Sequence, residues 1–103
     1  MKEKSLIKSA LRAESLLKTL ANSNRLMILC HLIEQPMTVS ELSQAIELSQ
    51  SAVSQHLKRL RDEQVVSSRV EGKHAWYFID STEVSALMSV IHLIFCHENT
   101  QTK

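Results

Sequence analysis

The segment that most constrains this chain runs from residue 48 to residue 60. Its apolar residues Val53, Leu57 and Leu60 recur at helical spacing, which predicts a helix with one buried face. The opposite face carries serine and glutamine first and two cations later, whereas an ordinary solvated helix face carries Glu and Lys. A helix that enters the DNA major groove needs donors and acceptors for base edges near its start and cations for phosphates further on. We therefore interpret the segment as a DNA recognition helix.

The polar face of this segment supplies most of the predicted DNA contacts. Ser54 and Gln55 are the strongest candidates for contacts to base edges. His56 ends the polar stretch, and it either packs half-buried between helices or contacts a phosphate or a base. The residues of the segment that we expect to contact DNA are Ser49, Gln50, Ser51, Ser54, Gln55, His56, Lys58 and Arg59.

Composition limits the chain to one mostly helical domain. Its 103 residues include a single glycine and a single proline, which leaves little material for irregular loops. The net charge of +1 does not by itself indicate a nucleic-acid partner. However, residues 1–20 carry five Lys and Arg against two Glu, and residues 49–74 carry five against three acids. Positive charge therefore gathers at the amino end and around the candidate recognition helix, which supports double-stranded DNA as the partner.

Local patterns upstream predict two longer helices. The first spans roughly residues 5–20 and is rich in leucine. The second is capped by Asn22 or Ser23, because either side-chain oxygen can accept the exposed amides of the first turn. It ends before Pro36, since a proline disfavours helical conformation at the preceding residue.

A short third helix precedes the recognition helix. It starts at Thr38 or Ser40, and Ser40 is followed three residues later by Ser43 rather than by the Glu of a full capping box. Ser49 is a good cap for the recognition helix. Two helices joined by so short a turn predict a helix-turn-helix over residues 39–64.

The pattern then changes to a β-hairpin. Two β-rich stretches, 65–70 and 75–79, flank a turn that contains the only glycine. A hairpin after a helix-turn-helix is a wing, and a wing near the minor groove places cations against phosphates. We expect Lys73 to contact DNA, and we leave Arg69 and His74 open.

A last helix starts at Ser81 or Thr82 and carries an apolar stripe. This stripe, like that of the first helix, is too wide for so small a chain to cover alone, which predicts a homodimer. Such a dimer places two recognition helices about one DNA turn apart. The expected fold is mainly α with a β-hairpin wing, a winged helix-turn-helix of order α-α-α-α-β-β-α with a homodimer through its first and last helices. Residues 1–103 form one domain, with dimerisation helices at 5–20 and 82–97, the helix-turn-helix at 39–64 and the wing at 65–79.

Other function classes find little support. A glycine-rich phosphate loop and a catalytic constellation are both missing from the sequence, so we expect no enzyme and no cofactor. No secretory signal or bilayer-spanning run is visible, which favours a cytoplasmic protein without a membrane partner. A protein-interaction module on the same scaffold is the rival interpretation, and the Ser- and Gln-rich helix face argues against it.

Several motifs resemble one family of bacterial regulators. Residues 20–29, Leu-Ala-Asn-Ser-Asn-Arg-Leu-Met-Ile-Leu, are similar to the "L-A-(D/N)-x-x-R-L-x-I-L" opening of the ArsR family of winged-helix repressors. Glu41-Leu42 and residues 48–60 resemble that family's "EL…LSQSAVSQHLKxL" segment. The resemblance covers about residues 10–97. It implies a homodimer that binds an imperfect inverted repeat, usually AT-rich, near promoters.

The metal sites of this family are not matched. Members that bind arsenic, cadmium or lead carry Cys-x-Cys on the third helix, where this chain has Leu-Ser-Gln at residues 42–44. Members that bind zinc on the last helix use an Asp-x-His pair and a His-x-x-Glu or His-x-x-His pair. The corresponding residues here are Ser81, Glu83, Ile94 and His97, of which only Glu83 and His97 are ligands by type. We therefore expect no metal at these positions.

The two cysteines resemble the thiol-sensing branch of the family. That branch includes sulfide-responsive repressors, biofilm-associated repressors and the Vibrio haemolysin regulator. The resemblance implies that Cys30 and Cys96 become linked by a disulfide or a chain of sulfur atoms, which weakens DNA binding. From the residues alone, Cys30 is equally a small buried hydrophobe and Cys96 an unimportant thiol near a helix end. His92, four residues before Cys96, can stabilise a thiolate, whereas the helix C-terminus opposes one.

A metal-responsive repressor with a non-standard Cys/His site is the alternative. Adjacent residues project about 100° apart on a helix, so both members of a Cys-His pair are poorly placed for one ion. The ligands available by type are Cys30, His31, His92, Cys96 and His97.

Overall fold

Four helices, a two-stranded hairpin and a fifth helix follow one another in the computed structural model, which describes residues 3–96 and only the backbone at Cys96. This order confirms the predicted winged helix-turn-helix. Residue 97, where the last helix was expected to end, lies outside the described residues. The elements are α1 (Glu3–Leu20), α2 (Ser23–Glu34), α3 (Val39–Ile46), α4 (Gln50–Asp62), β1 (Val66–Glu71), β2 (His74–Ile79) and α5 (Thr82–Ile91), which continues as a π-helical turn (His92–Cys96).

Side-chain caps decide where the helices begin. The Asn22 side chain accepts the amide of Arg25 at 3.0 Å, so Asn22 rather than Ser23 caps α2. Ser49 caps α4 and Ser81 caps α5 in the same way. Each such cap stabilises its helix by about 1 kcal/mol.

A capping box marks the start of α3. Thr38 is the cap, and its hydroxyl accepts the amide of Glu41 at 3.1 Å. The Glu41 carboxylate in turn accepts the amide of Thr38 at 3.2 Å. A full capping box is therefore present, and it starts at Thr38 and not at Ser40.

The turn between α3 and α4 fixes the angle of the recognition helix. Glu47 adopts a left-handed conformation with φ 58°, which ends α3 and reverses the chain. The amide of Leu48 donates to the carbonyl of Ser43 at 3.2 Å, and the Ser43 hydroxyl donates to the carbonyl of Leu48. These bonds satisfy backbone groups in the turn and hold α4 against α3.

The core holds α4 by one face only. Val53, Leu57 and Leu60 are at most 1% exposed, which confirms the apolar face predicted for this helix. Full burial of such a side chain stabilises the fold by roughly 1.5–3 kcal/mol. The other buried apolar residues are Leu20, Ile28, Leu29, Leu32, Leu42, Ile46, Val65, Val66, Val84 and Met88.

The hairpin is antiparallel and pairs Val66 with Ile79 at one end and Glu71 with His74 at the other. A two-residue turn joins the strands, and Gly72 there takes a φ of 65°, which a residue with a Cβ rarely adopts. The hairpin is anchored at its base, because Met37 and Tyr77 exchange two backbone hydrogen bonds of 3.1 and 2.8 Å.

Within residues 3–96, none of the helices combines the length and apolar character that a bilayer crossing requires.

Candidate nucleic-acid interface

The outward side of α4 is a continuous polar surface. The side chains predicted to read DNA from this helix are exposed, with the exception of half-buried His56. Ser49 is partly committed, because its hydroxyl accepts the amide of Ala52 at 3.0 Å as the helix cap. We call this surface the polar face of α4; its residues are Ser49, Gln50, Ser51, Ser54, Gln55, Lys58 and Arg59.

The two cations of the polar face have different local partners. Lys58 lies 3.3 Å from the Asp62 carboxylate, one turn further along, and both side chains are mostly exposed. An exposed pair of this kind contributes little to stability, so exchange of Asp62 for a phosphate costs little. Arg59 instead donates its Nε to the hydroxyl of Thr19 at 3.3 Å.

His56 lies at the edge of the polar face. It is half-buried, and its Nδ1 lies 3.5 Å from Nη1 of Arg25. Burial, and to a lesser extent the positive charge of Arg25, lowers the pKa of His56 below its ordinary value. The ring is therefore neutral near pH 7. This position agrees with the packing alternative for His56, and its contact with DNA stays a prediction.

The wing presents Lys73 at its tip. This side chain is exposed in the two-residue turn beyond the last strand pair. Arg69, further back, is held locally by a 2.9 Å ion pair with Glu71 and by the ring of Phe78, whose centroid is 5.7 Å from its guanidinium carbon. His74 is exposed opposite Glu71. Of these three residues, Lys73 is the one best placed to reach a DNA backbone.

Of the two cysteines in the predicted thiol site, the structure describes the side chain of Cys30 only. Cys30 is half-buried in α2 and packs against the core, and α2 packs directly on α5. The side chain of Cys96 and all of His97 lie outside the described part of the chain. His31 and His92 are half-buried, and Nδ1 of His92 has no hydrogen-bond partner among residues 3–96. No three His, Cys, Asp or Glu side chains within that same stretch converge as a metal site would require.

The sequence analysis missed Thr19 and Arg25. Thr19 is fully buried in the last turn of α1, and Nε of Arg25 donates to its backbone carbonyl at 2.5 Å. A signal was available for Thr19, which follows Leu16 by three residues and so lies on the apolar side of α1. Arg25 stands at the arginine of the family's opening motif, but the sequence does not show its partners, which lie on two other helices.

The elements α1, α5 and the π-helical turn together expose a large amount of apolar surface. Leu11 is 59% exposed and Leu93 is 61% exposed, values unusual for leucine in a structured region. We call this surface the apolar face; its residues are Leu6, Ile7, Leu11, Leu17, Leu87, Val90, Leu93, Ile94 and Phe95.

Known proteins are similar to this chain in both sequence and fold. The family described as "bacterial regulatory protein, arsR family" matches residues 22–68. The transcriptional activator HlyU of Vibrio cholerae is 45% identical over 92 residues, which cover 89% of this chain and 85% of HlyU. The chain belongs to the ArsR family. Like its relatives it is a transcriptional regulator with a winged helix-turn-helix and not an enzyme.

Solved structures of ArsR-family regulators superpose closely on this chain. Reduced HlyU from Vibrio cholerae has a TM-score of 0.85 at 43% identity, covering 90% of this chain and 98% of HlyU. The transcriptional repressor BigR from Xylella fastidiosa has a TM-score of 0.83 at 33% identity, covering 94% and 96%. A homodimeric winged helix-turn-helix DNA-binding domain from Mycobacterium bovis has a TM-score of 0.78 at 25% identity, covering 100% and 94%.

Proposed function

We propose that this ArsR-family regulator binds DNA as a homodimer through the polar face of α4 and the wing, and that sulfur linkage of Cys30 and Cys96 lowers its affinity. The observation that carries the DNA-binding part is the composition of the polar face of α4. Short Ser and Gln side chains cover the first two turns while three fully buried residues fix the opposite face. A rigid helix with adaptable donors and acceptors suits base edges in the major groove.

The contacts divide by chemistry. Ser54 and Gln55 meet base edges, because they lie mid-helix on the exposed side and carry groups that donate and accept. Lys58, Arg59 and Lys73 meet phosphates, which position the protein without reading sequence. The residues proposed to contact DNA are Ser49, Gln50, Ser51, Ser54, Gln55, His56, Lys58, Arg59 and Lys73.

The apolar face supports the homodimer. So much exposed apolar surface on the first and last helices of a small chain suits burial against a second copy of the chain. The homodimeric neighbour from Mycobacterium bovis adds support. Residues 1–103 then act as one DNA-binding domain, with dimerisation helices at 5–20 and 82–97, the helix-turn-helix at 39–64 and the wing at 65–79. Two-fold symmetry implies an imperfect inverted repeat, and the family resemblance favours an AT-rich one.

The thiol part of the proposal rests on the packing of α2 against α5. Cys30 lies on α2, and the π-helical turn that continues α5 ends at Cys96. The thiolate of one cysteine attacks a sulfane sulfur of a polysulfide and displaces a shorter one. The second thiolate then attacks the bound persulfide, forms the protein linkage and releases sulfide. The two thiols lose two electrons to the polysulfide and release two protons.

Linkage acts on DNA binding by a population shift. A bridge between α2 and α5 favours dimers in which the two recognition helices no longer match the half-site spacing. One of the similar solved structures is described as reduced HlyU, which is compatible with this proposal.

The DNA-binding proposal is tested with the duplex that the wild-type protein selects from a random library. Fluorescence anisotropy compares its affinity with that of a scrambled duplex of the same composition at a fixed moderate salt concentration. We expect at least a thousandfold preference for the selected duplex, the lower end for specific DNA-binding proteins. Equal affinities would contradict operator recognition and favour the protein-interaction alternative.

The thiol proposal is tested on the same duplex with Cys30→Ser and Cys96→Ser as matched variants. Tetrasulfide treatment is expected to weaken binding by wild-type protein and leave both variants unchanged, with recovery after reduction by dithiothreitol. Intact-mass spectrometry then shows a Cys30–Cys96 adduct in wild-type protein alone. An unchanged affinity together with no adduct contradicts the proposal. Stoichiometric zinc in purified protein, lost in Cys30→Ser, would support the metal-responsive alternative instead.

A further inference from the structure

Two arginines from different helices meet at one buried threonine. Thr19 in the last turn of α1 is fully buried. Its carbonyl accepts Nε of Arg25 from α2, and its hydroxyl accepts Nε of Arg59 from α4 at 3.3 Å. Both guanidinium groups are therefore anchored through Nε. We call this arrangement the arginine pair.

The arginine pair carries two positive charges without a carboxylate partner. Within residues 3–96, neither guanidinium forms a salt bridge. The carboxylate of Glu63 lies beside the same threonine, since it accepts the hydroxyls of Ser15 at 3.0 Å and Thr19 at 3.5 Å, but within the described residues it forms no ion pair with either arginine. Two cations held together in this way repel each other and attract an anion.

The charge state of Arg25 agrees with this geometry. Burial lowers the pKa of Arg25, and the charge of Arg59 lowers it further. An arginine nonetheless stays protonated in proteins. His56, 3.5 Å from Arg25, is neutral near pH 7 and accepts a hydrogen bond from its Nη1. An anion that binds between the two guanidinium groups therefore meets two fixed cations, with a neutral ring beside them.

The arginine pair lies on one flank of the recognition helix. His56, Arg59 and Glu63 are three and four residues apart, so they lie on the same side of α4. Glu63 is the residue that caps the carboxyl end of this helix. A helix with its side chains is about 10–12 Å across, and the major groove is about 12 Å wide. When the polar face of α4 points at base edges, this flank therefore points at a wall of the groove, where the phosphates lie.

We propose that Arg25 and Arg59, held side by side on Thr19, bind one phosphodiester of the DNA backbone. Guanidinium groups present two parallel donors to phosphate oxygens. Both groups here use Nε for anchoring, and Arg25 also uses Nη1 towards His56, so Nη2 of Arg25 and both Nη groups of Arg59 remain for a ligand. Arg25 thus adds a contact from α2, outside the helix-turn-helix. The inference rests on the proposed DNA binding and assigns it a site that fixes the depth and direction of α4.

The test measures DNA affinity against salt for Arg25→Gln, with Arg12→Gln as matched control. Arg12 is an exposed arginine of α1 that, within residues 3–96, forms no hydrogen bond or ion pair with Thr19, Arg25 or Arg59. Each phosphate contact contributes about 0.9 to the slope of log affinity against log salt concentration. Because Arg59 still contacts the same phosphate, we expect the slope of Arg25→Gln to fall by up to about one per protomer, and that of Arg12→Gln to match wild-type. Between about 50 and 200 mM salt, the advantage of a wild-type dimer over an Arg25→Gln dimer then shrinks by up to about tenfold.

Two comparisons separate a phosphate contact from a structural effect. Loss of a phosphate contact weakens the selected and the scrambled duplex about equally, whereas a misplaced recognition helix weakens mainly the selected one. Arg25→Lys keeps the charge and is expected to keep most of the slope. Thr19→Val keeps every charge and the side-chain shape but removes the anchor of Arg59, so it is expected to weaken both duplexes and serves if Arg25→Gln does not fold.

Each result supports or overturns the site. An unchanged slope in folded Arg25→Gln, or a loss confined to the selected duplex, overturns it. If wild-type protein itself shows no preference for the selected duplex, the proposed operator recognition fails, and that result does not depend on Arg25.

Discussion

The polar face of α4 and the apolar face of α1 and α5 are both exposed in the protomer, yet their chemistry is opposite. On α4 the exposed residues are short amides, hydroxyls and two cations, above a helix side that is fully buried. The apolar face of α1, α5 and the π-helical turn consists of leucine, isoleucine, valine and phenylalanine at 37–62% exposure. Exposure of the polar face to water costs no free energy. Exposure of the apolar face is unfavourable, and its burial against another surface would lower the free energy. The two faces therefore call for different partners.

The largest expected effect comes from charging the apolar face. Leu93→Glu places a carboxylate in the proposed dimer interface, where it must be desolvated without a partner. We expect the dimer to dissociate and the affinity for the selected duplex to fall at least a hundredfold, because the two half-sites are no longer bound together. Analytical ultracentrifugation measures the assembly state.

Val70→Glu is the control for this charge. Val70 is 73% exposed on β1, away from the apolar face, so its replacement leaves the assembly state unchanged. Dimeric Leu93→Glu protein would show that this part of the face is not the interface.

The next effect concerns the polar face. Gln55→Ala removes both a donor and an acceptor from the exposed side of α4 without touching the core. A good bidentate contact is worth about 1–3 kcal/mol of discrimination, so we expect roughly a 5- to 150-fold loss of preference for the selected over the scrambled duplex. Competition binding with both duplexes measures it. Gln35→Ala, an exposed amide at the end of α2, is expected to show no change, and equal losses in the two variants would contradict base recognition by Gln55.

The smallest expected effect is on the pH dependence of stability and concerns His56, which lies at the edge of the polar face of α4. Its lowered pKa means that the folded chain binds a proton less readily than the unfolded chain. The free energy of unfolding therefore falls as the pH drops below 6.5, the ordinary value, and is regained above it. Urea denaturation on either side of that pH measures this slope. His56→Gln is expected to reduce it, and identical slopes in wild-type protein and His56→Gln would show that His56 is not desolvated.

The order of elements and the buried side of α4 could be predicted because both depend on short-range periodicity. Val53, Leu57 and Leu60 define one helix side by spacing alone, and caps such as Ser49 and Ser81 act within three residues. The capping box of α3 is equally local, because Thr38 and Glu41 are three residues apart, although the sequence analysis considered this motif only at Ser40.

Contacts between distant elements were beyond that reasoning. The pairing of Arg25 and Arg59 on Thr19 joins three helices, and no spacing in the sequence indicates it. The stripe of α5 was predicted as a whole, but only the packed fold shows that Val84 and Met88 face the core while Leu87 and Val90 do not.

The backbone bonds between Met37 and Tyr77 have a mechanical consequence. Met37 follows α2 closely, so the hairpin is pinned to the end of the helix that carries Cys30. From Tyr77 to the tip is about four residues, or roughly 13 Å of strand. A rotation of about 10° at this pivot swings the tip by about 2 Å, comparable to the difference between touching and missing a hydrogen-bond partner. A small rotation at this anchor point, next to the helix that carries Cys30, therefore becomes a larger displacement at the tip of the wing.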